Sequence, residues 1–432
     1  MQSISQKNFA RVQPPQIQRS SFDRSSGFKT TFDGNTLFPI FYDEALPGDT
    51  FKLNASFFCR LNTPIVPIMD NAYLNTFFCE VPVRQVWDNW KKFNGEQTNP
   101  GDSTDFLIPT MTSPIGGYQI GSLADYFGIP TEVAGLEHSA LPFRAYNRIW
   151  AEWFRDQNLQ QSPVLETGDG PDLDTDYPLR SRGKRHDYFT SALPWPQKSD
   201  SGSVSIPIGT SAPIITDGNQ WQMAIGQTNN QNAVNQVLVE GASDGAFQVN
   251  NVEAAVYWPL SGSGAIADLT NATAATINQL RQSIAVQRLF EKDARGGTRY
   301  IEVIKQHFGV SSPDLRLQRP GYLGGGQSAL NVSPVAQTQA TSETVTPQGN
   351  LAAIGTVSGS GHGFTKSFTE HTIIIGLAQV RADLTYQKGL ERSWSRQTRF
   401  DFFWPELATI GEQTVLQKDI FAQGTPDDDI VF

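Results

Sequence analysis

The chain has 432 residues, of which 33 are Lys or Arg and 43 are Asp or Glu, so its net charge at pH 7 is −10. This balance argues against a chain that alone neutralises a polyanion, because such binding needs clustered Lys and Arg. No apolar run approaches the roughly 20 residues of a membrane-spanning helix, and the N-terminus lacks the apolar stretch of a signal peptide. We therefore expect a protein that is made in a cytosol and is not inserted into a membrane.

The N-terminal segment, residues 1–27, is polar and contains a Pro-Pro pair, which predicts an extended arm with no core of its own. Residues 51–61 then alternate between apolar and polar side chains, as is typical of a half-buried strand. Residues 73–81 predict a second strand, which either pairs antiparallel with the first or lies in a facing sheet. Cys59 and Cys79 lie on these strands, and we interpret them as small buried apolar side chains rather than a disulfide.

Two later segments have apolar side chains at the spacing of an amphipathic helix. The first set is Val83, Val86, Trp87, Trp90 and Phe93, and the second is Phe143, Tyr146, Trp150, Trp153 and Phe154. These patterns predict two short helices, each with a pair of tryptophans about one turn apart. We predict that Trp87, Trp90, Trp150 and Trp153 are packing anchors rather than sugar-stacking platforms.

Residues 199–280 have an unusual charge distribution. These 82 residues include no Lys or Arg, but they carry six acidic side chains: Asp200, Asp217, Glu240, Asp244, Glu253 and Asp268. A surface of uniform negative sign cannot face a polyanion, so we expect this segment to be remote from nucleic acid. Short β-like runs at 204–208 and 234–239 lie among Gly, Ser, Asn and Thr, which predicts an inserted β-rich or loop subdomain.

The C-terminal part of the chain contains two further helical patterns and one strand pattern. The helices are predicted at 277–293 and 298–308, and we interpret the Gly pair at 296–297 between them as a hinge or cap. Residues 372–386 predict a sheet strand, because the end of this segment alternates strictly between apolar and polar side chains.

Sequence motifs for catalysis are absent: the chain has no P-loop, nucleophile elbow, zinc-binding helix motif or paired C-x-x-C, and its five His residues lack ligand spacing. Asp172, Asp174 and Asp176 begin like a calcium loop, but Tyr177 stands where Gly is needed, which favours a solvated acidic turn. The Gly-rich stretch 359–363 favours a flexible turn over a nucleotide site. We predict no enzyme, and no catalytic, cofactor-binding or metal-binding residues.

Two basic clusters each allow two interpretations. The first contains Arg182, Lys184 and Arg185 shortly before Tyr188 and Phe189. The second consists of Lys388, Arg392, Arg396 and Arg399, which a helix would place on one face. Basic side chains mixed with rings are typical of single-stranded nucleic-acid contacts. They are equally typical of interface salt bridges and of Arg stems lying on aromatic surface.

Several stretches together resemble one known family. They are SFDRSSGFKTTFDGNTLFPIFYDEALPGDTF (21–51), PIMDNAYLNTFFCEVPVRQVWDNW (67–90), KRHDYFTSALPWPQK (184–198), RLFEKDARGGTRYIEVIKQHFGV (288–310), QGNLAAIGT (348–356), GHGFTKSFTEH (361–371) and VRADLTYQKGLERSWSR (380–396). The chain is similar to the major capsid proteins of the microviruses, which are small icosahedral single-stranded DNA phages, and most of all to the gokushovirus branch.

The resemblance implies a mainly β fold, an eight-stranded antiparallel jelly roll of the viral capsid type with long loop and short-helix insertions. We expect an arm at 1–27, the first part of the jelly roll at 28–198, an acidic outward-projecting insertion at 199–280 and the remainder at 281–432. Family members continue past the position of Phe432, so we expect a terminal portion of the family's chain to be absent here.

The same resemblance implies a structural protein that assembles with copies of itself into an icosahedral shell around single-stranded DNA. The expected partners are a small basic DNA-packaging protein, the genome, and a host surface receptor that contacts 199–280. The expected location is the virion, with assembly in the host cytoplasm. A carbohydrate-binding or adhesin-like β-sandwich is the alternative, and it would form a small oligomer rather than a shell.

Overall fold

The computed structural model describes residues 17–64, 68, 70–195, 214–216, 224–226, 255–257, 265–267, 277–311, 318–336, 338, 351–408 and 413–432. The first 16 residues of the predicted arm and most of the predicted acidic insertion, including both of its β-like runs, lie outside these residues. The described residues belong to two compact units. The first comprises Met1–Ser191, Ser312–Ser395 and Leu416–Val431, and the second comprises Ala192–Ser311, Arg396–Val415 and Phe432.

Strands dominate the described residues. They are β1 (Phe38–Ala45), β2 (Thr50–Arg60), β3 (Ala72–Pro82), β4 (Thr110–Thr112), β5 (Glu137–Ser139), β6 (Ile214–Thr216), β7 (Ala224–Gly226), β8 (Ala255–Tyr257), β9 (Ala265–Ala267), β10 (Gly321–Ala329), β11 (Asn331–Ala336), β12 (Leu351–Ser367) and β13 (Thr372–Ala382). The α-helices are α1 (Trp90–Phe93), α2 (Leu123–Tyr126), α3 (Leu141–Ile149), α4 (Ile277–Gly296), α5 (Tyr300–Phe308) and α6 (Gln417–Ile420). Among the described residues, none of the helices combines the length and the apolar composition of a membrane span.

Two antiparallel sheets form the centre of the first unit. One has four strands in the order β1-β13-β3-β10, and the other has three in the order β11-β12-β2. This mainly β, antiparallel architecture is consistent with the predicted jelly roll. The predicted count of eight strands is not confirmed, since the two sheets contain seven strands among the described residues.

The predicted strand at 51–61 is confirmed as β2, and its exposed and half-buried residues alternate along its whole length. This pattern arises because one face of β2 covers the interior and the other faces solvent. The strand predicted at 73–81 is β3, and it lies in the four-stranded sheet, whereas β2 lies in the three-stranded sheet. Of the two alternatives for this strand, the facing sheet is therefore the one observed.

Aromatic and aliphatic side chains fill the space between the two sheets. Phe78, Phe364, Phe368 and Ile374 form one buried cluster there. The sheets approach closely beside β10, where a Cβ on Gly324 would overlap the carbonyl oxygen of Gly363. Only a residue without a side chain allows two backbones to come this close.

A layer of short helices and loops, residues 83–182, covers the other face of the four-stranded sheet, and we call it the helical layer. Phe143, Tyr146 and Ile149 of α3 join the same buried cluster as Ile373 and Ile375 of β13. Because β13 is covered on both faces, its buried run is nearly continuous rather than alternating.

The strand predicted at 372–386 ends earlier than expected. The ladder of β13 stops at Ala382, and residues 383–386 are not part of a sheet. Tyr386 contacts the loop before the insertion instead of a strand partner, because its hydroxyl donates a hydrogen bond to Asp187 (2.7 Å). The prediction was wrong for the last four residues.

The helix predicted around Phe143 is confirmed: α3 begins at Leu141 and continues into a π-helical turn, Trp150–Phe154. The single helix predicted from Val83 to Phe93 is wrong. A 3₁₀ turn, Val83–Gln85, and the one-turn helix α1 replace it. Between them the backbone N–H of Asp88 donates to the carbonyl of Thr167 rather than to the preceding turn, so the helical ladder is broken.

The predicted Gly-rich turn at 359–363 is also not observed. These residues belong to β12, which pairs with β2 and has a register shift between Gly359 and His362. Gly361 has φ +83°, a conformation that suits Gly at such a bulge.

The second unit contains the two helices predicted in the C-terminal part, α4 and α5. The Gly pair at 296–297 ends α4, and Gly297 has φ +92°. The Nε2–H of His307 donates a hydrogen bond at 2.6 Å to the Asp293 carboxylate, which joins the two helices. Two pairs of three-residue strands, β6 with β9 and β7 with β8, also lie in this unit.

Candidate nucleic-acid interface

The first basic cluster lies on an extended segment that crosses the edge of the helical layer. Backbone hydrogen bonds connect it to the start of β1, from the N–H of Leu37 to the carbonyl of Arg180 and from the N–H of Arg182 to the carbonyl of Asn35. The indole N–H of Trp150 donates to the carbonyl of Ser181 (2.8 Å). The backbone that presents the cluster is therefore fixed.

The guanidinium groups of this segment are stacked on rings. Arg180 lies over the ring of Trp150 at 4.9 Å, and Arg182 lies over Phe77 at 4.8 Å and over Phe154 at 5.5 Å. The two Arg stems thus cover aromatic surface, as one of the two interpretations predicted. Stacking on a ring does not neutralise a guanidinium, so the groups around each charge have to be considered separately.

The electrostatic environment of Arg182 is unfavourable for a cation. Burial, followed by the positive charges of Arg381 and Arg185, lowers the pKa of the Arg182 guanidinium. Within the described residues, no side-chain hydrogen bond or carboxylate compensates this charge.

The rest of the first cluster is exposed. Lys184, Arg185 and His186 face solvent, and the His186 ring is 3.8 Å from the carboxylate of Asp156. Tyr188 is 61% exposed. The neighbouring Phe189 packs edge-on against Tyr386 at 4.5 Å, so the turn that follows the cluster contacts the segment after β13.

Arg381 belongs to this basic surface but was not predicted from the sequence. It lies over the ring of Tyr73 at 5.1 Å, and it donates to Asp383 at 2.9 Å and to Gln327 at 3.4 Å. The sequence signal for Arg381 is a charged residue within an alternating strand pattern, because a charge on a largely buried strand usually has a specific partner.

The second basic cluster is not one face of a helix. A 3₁₀ turn, Arg392–Ser395, and a second one, Arg399–Asp401, replace the continuous helix, and they belong to different units. Lys388 lies over Phe421 at 4.9 Å, Arg396 over Phe402 at 5.0 Å and Arg399 over Phe400 at 4.6 Å. The continuous helix that would place these four residues on one face is therefore not formed.

The four tryptophans differ in burial. Trp87 is completely buried and Trp150 is nearly so, whereas Trp90 is half-buried against the same core. Trp153 is 40% exposed, and its indole N–H donates to the carbonyl of Pro320 (3.0 Å). The role of all four as packing anchors stays a prediction, which burial favours most for Trp87 and Trp150.

The acidic turn at 172–176 is not wholly solvated. Asp172 is buried and accepts two hydrogen bonds from the guanidinium of Arg144, at 2.7 and 2.5 Å, and a third from the Tyr177 hydroxyl. Tyr177, which breaks the calcium-loop pattern, is thus a partner of this carboxylate. The prediction of a solvated turn was wrong for Asp172, because a buried cation compensates its charge.

Comparisons with known proteins extend over almost the whole chain. A family model described as "Capsid protein (F protein)" matches residues 10–432. Capsid protein VP1 of Bdellovibrio phage phiMH2K is 52% identical, over 99% of this chain and 81% of that protein. Capsid protein VP1 of Chlamydia phage 1 is 41% identical, over 98% and 80%, and that of Spiroplasma virus 4 is 38% identical, over 93% and 76%. The chain therefore belongs to the phage capsid protein family, in which it is a structural major capsid protein of the gokushovirus type.

Proposed function

We propose that copies of this chain form a closed icosahedral shell that encloses a single-stranded DNA genome. As a capsid protein, the chain assembles into a shell and is located in the virion. The observation that carries the proposal is similarity to phage capsid proteins along nearly the full chain. Closed symmetry would repeat the same contacts around each axis, and aromatic anchors buried in those contacts would contribute most of the association energy without any chemical step.

The charge of the chain supports a separate packaging partner. A subunit of net charge −10 adds negative charge to the shell, so its own surface does not neutralise a genome. We propose that a small basic protein supplies the missing cations, and that assembly takes place in the host cytoplasm.

Co-expression tests this function. The chain would be produced with and without a small basic partner and examined by electron microscopy, and protected DNA would be measured after nuclease treatment. We expect icosahedral particles that protect single-stranded DNA when the partner is present. Small soluble oligomers that bind glycans, without particles, would favour the adhesin-like alternative and contradict the proposal.

We further propose that residues 199–280 project outward and contact the host receptor, which their lack of Lys and Arg supports. Deletion of 202–264 should spare shell assembly and DNA content while it lowers attachment to host cells. As a matched control, substitution of the acidic residues in this segment by Asn or Gln keeps its length and changes only its charge. Particles that keep their outer profile but lose DNA would contradict an outward position.

A further inference from the structure

Two Arg side chains are stacked on aromatic rings that project from one face of β3. Tyr73 and Phe77 are four residues apart on this strand, so their side chains point to the same side of the sheet at a spacing of about 13 Å. Arg381 lies over the first ring at 5.1 Å, and Arg182 lies over the second at 4.8 Å. The two guanidiniums come from separate parts of the chain but are held above the same face of the sheet.

Midway between the two rings, the residues that lie side by side across the neighbouring strands have amide rather than carboxylate side chains. Asn75 is the register partner of both Gln327 on β10 and Gln379 on β13. Arg381 also has a buried Nε that finds no hydrogen-bond partner among the described residues. Within the part of the chain that the structure describes, one donor of this guanidinium is thus left unused.

A third arginine contributes to the same positive field. Arg185 acts electrostatically on Arg182, as Arg381 does, and both effects are repulsive. The turn that follows Arg185 is fixed by the hydrogen bond from the Tyr386 hydroxyl to Asp187. The only carboxylate bound to one of the three guanidiniums among the described residues is Asp383, on Arg381.

Three guanidiniums with one carboxylate leave an excess of positive charge on this surface, where stacking holds two of the three side chains, Arg182 on Phe77 and Arg381 on Tyr73. Arg presents a planar set of donors that matches the oxygens of a phosphate, and exposed rings such as Tyr188 allow bases to stack nearby. We propose that Arg182, Arg185 and Arg381 form a site for backbone phosphates of single-stranded DNA. This inference rests on the proposed function, in which the shell encloses such a genome.

The site can be tested on free subunits with a fluorescein-labelled oligothymidylate, whose binding is followed by anisotropy at increasing NaCl concentration. Arg182→Gln and Arg381→Gln should each weaken binding and reduce the slope of log affinity against log salt by about 0.7, the value for one lost phosphate contact on a single strand. Arg182→Lys should retain most of the slope because it keeps the charge.

Arg319→Gln is the matched control. Arg319 is also stacked on a ring, that of Trp153 at 4.7 Å, but it does not appear among the charges that act on Arg182. Its substitution should leave the salt slope unchanged. An equal loss of slope in this variant would show diffuse attraction to positive charge and would overturn the site.

A stability measurement separates binding from folding. Because Arg182 is desolvated beside like charges, Arg182→Met should keep the Tm of the DNA-free subunit or raise it while binding weakens. A Tm lower by several degrees with unchanged oligonucleotide binding would make Arg182 a structural residue and would overturn the proposal.

The DNA content of particles distinguishes failure of the site from failure of the proposed function. Wild-type particles without protected DNA would overturn both. If wild-type particles protect DNA and the Arg182→Gln, Arg381→Gln double variant binds and packages DNA normally, only the site is overturned. A double variant that binds the oligonucleotide normally but forms no shell would assign the cluster to a protein interface instead.

Discussion

His362 is an ionisable residue in the interior of the β-sandwich, where it is 7% exposed. Its Nδ1 is 2.7 Å from the hydroxyl of Thr76 on β3, and its Nε2 is 3.2 Å from the hydroxyl of Ser328 on β10. The ring of Phe57 on β2 packs edge-on against it at 4.7 Å. The ring therefore connects the two sheets through neutral groups.

The surroundings of His362 give the fold a dependence on pH. Burial lowers the pKa of His362 below its ordinary value of 6.5. One charged pair between the same two strands, Glu80 on β3 with Lys366 on β12, lies four residues further along each strand, about 13 Å away. The unfolded chain therefore takes up the proton first as the pH falls, so the stabilisation is present above about pH 6.5 and is lost below it.

We expect the Tm of the wild-type subunit to fall more between pH 7 and pH 5 than the Tm of His362→Gln. The comparison cancels the contribution of the other histidines, which both proteins share. Scanning calorimetry at matched ionic strength measures the difference. Equal falls in the two proteins would contradict a buried neutral imidazole.

The unequal burial of the tryptophans predicts unequal effects of truncation. Trp87→Ala removes a completely buried ring, whose indole N–H donates to Asp169 at 2.7 Å, and should cost about 3 to 5 kcal/mol of unfolding free energy. Trp153→Ala should cost clearly less, because that ring is 40% exposed. Soluble yield and Tm of the two variants test this order. Similar values for both would show that burial does not decide the role of these rings.

At the scale of elements, a buried ion pair joins segments of the helical layer to one another. The side chains of Arg144 on α3 and Asp172 are 1% and 2% exposed. Arg144 also donates to the carbonyls of Val86 and Gly168, at 3.0 and 2.8 Å. One guanidinium thus connects three segments of the helical layer.

Arg144→Met should destabilise the subunit by about 3 to 5 kcal/mol, because the carboxylate of Asp172 would remain buried without a cation. The double variant Arg144→Met with Asp172→Asn should recover part of this loss, since it removes the uncompensated charge. Urea unfolding followed by tryptophan fluorescence measures both variants. A double variant as unstable as the single one would indicate that the lost carbonyl contacts, not the charge, dominate.

The elements differ in how well the sequence predicts them. Strand β2 could be predicted because one of its faces is solvated, and α3 because its apolar side chains follow a single helical stripe. The segment from Val83 to Phe93 has the same helical spacing of apolar residues. These residues nevertheless reach the core from two separate turns, without a continuous helical ladder. The spacing of the apolar residues restricts which side chains face the core. It does not require a continuous helical ladder of backbone hydrogen bonds.

The candidate site was predicted only in part for a similar reason. Arg182 and Arg185 are close in sequence and were recognised as a cluster, whereas Arg381 reaches them only through the pairing of β13 with β3. No local pattern contains that register. The glycines at 359–363 were misinterpreted because a Gly that permits close packing in a sheet has the same sequence signature as one in a turn.

At the scale of the whole molecule, two arginines attach the described end of the N-terminal arm to the subunit. Arg19 donates to the carbonyl of Gly48, and Arg24 pairs with Asp43 at 2.7 Å. The side chains of Ile17 and Phe22 remain exposed. Such apolar groups on an extended segment favour a neighbouring copy as their cover.

Trypsin should therefore cut free subunits at Arg11, Arg19 or Arg24 and should be blocked in assembled particles. Phe22→Ser is the matched variant: it should leave cleavage of free subunits unchanged and should increase cleavage of particles. Mass spectrometry of the released N-terminal peptides measures both. Equal cleavage of wild-type subunits and particles would contradict an inter-subunit role for the arm.

The close approach of the two sheets beside β10 has a consequence for the evolution of the phage. Every missense change at the codons of Gly324 or Gly326 adds at least a Cβ, which would overlap the Gly363 carbonyl or meet the His362 ring at 2.5 Å. Neither backbone nor a buried ring can move aside cheaply, so replication errors at these codons should be purged from the population. Heritable variation is then left to positions such as the exposed residues of β2, where a new side chain meets solvent.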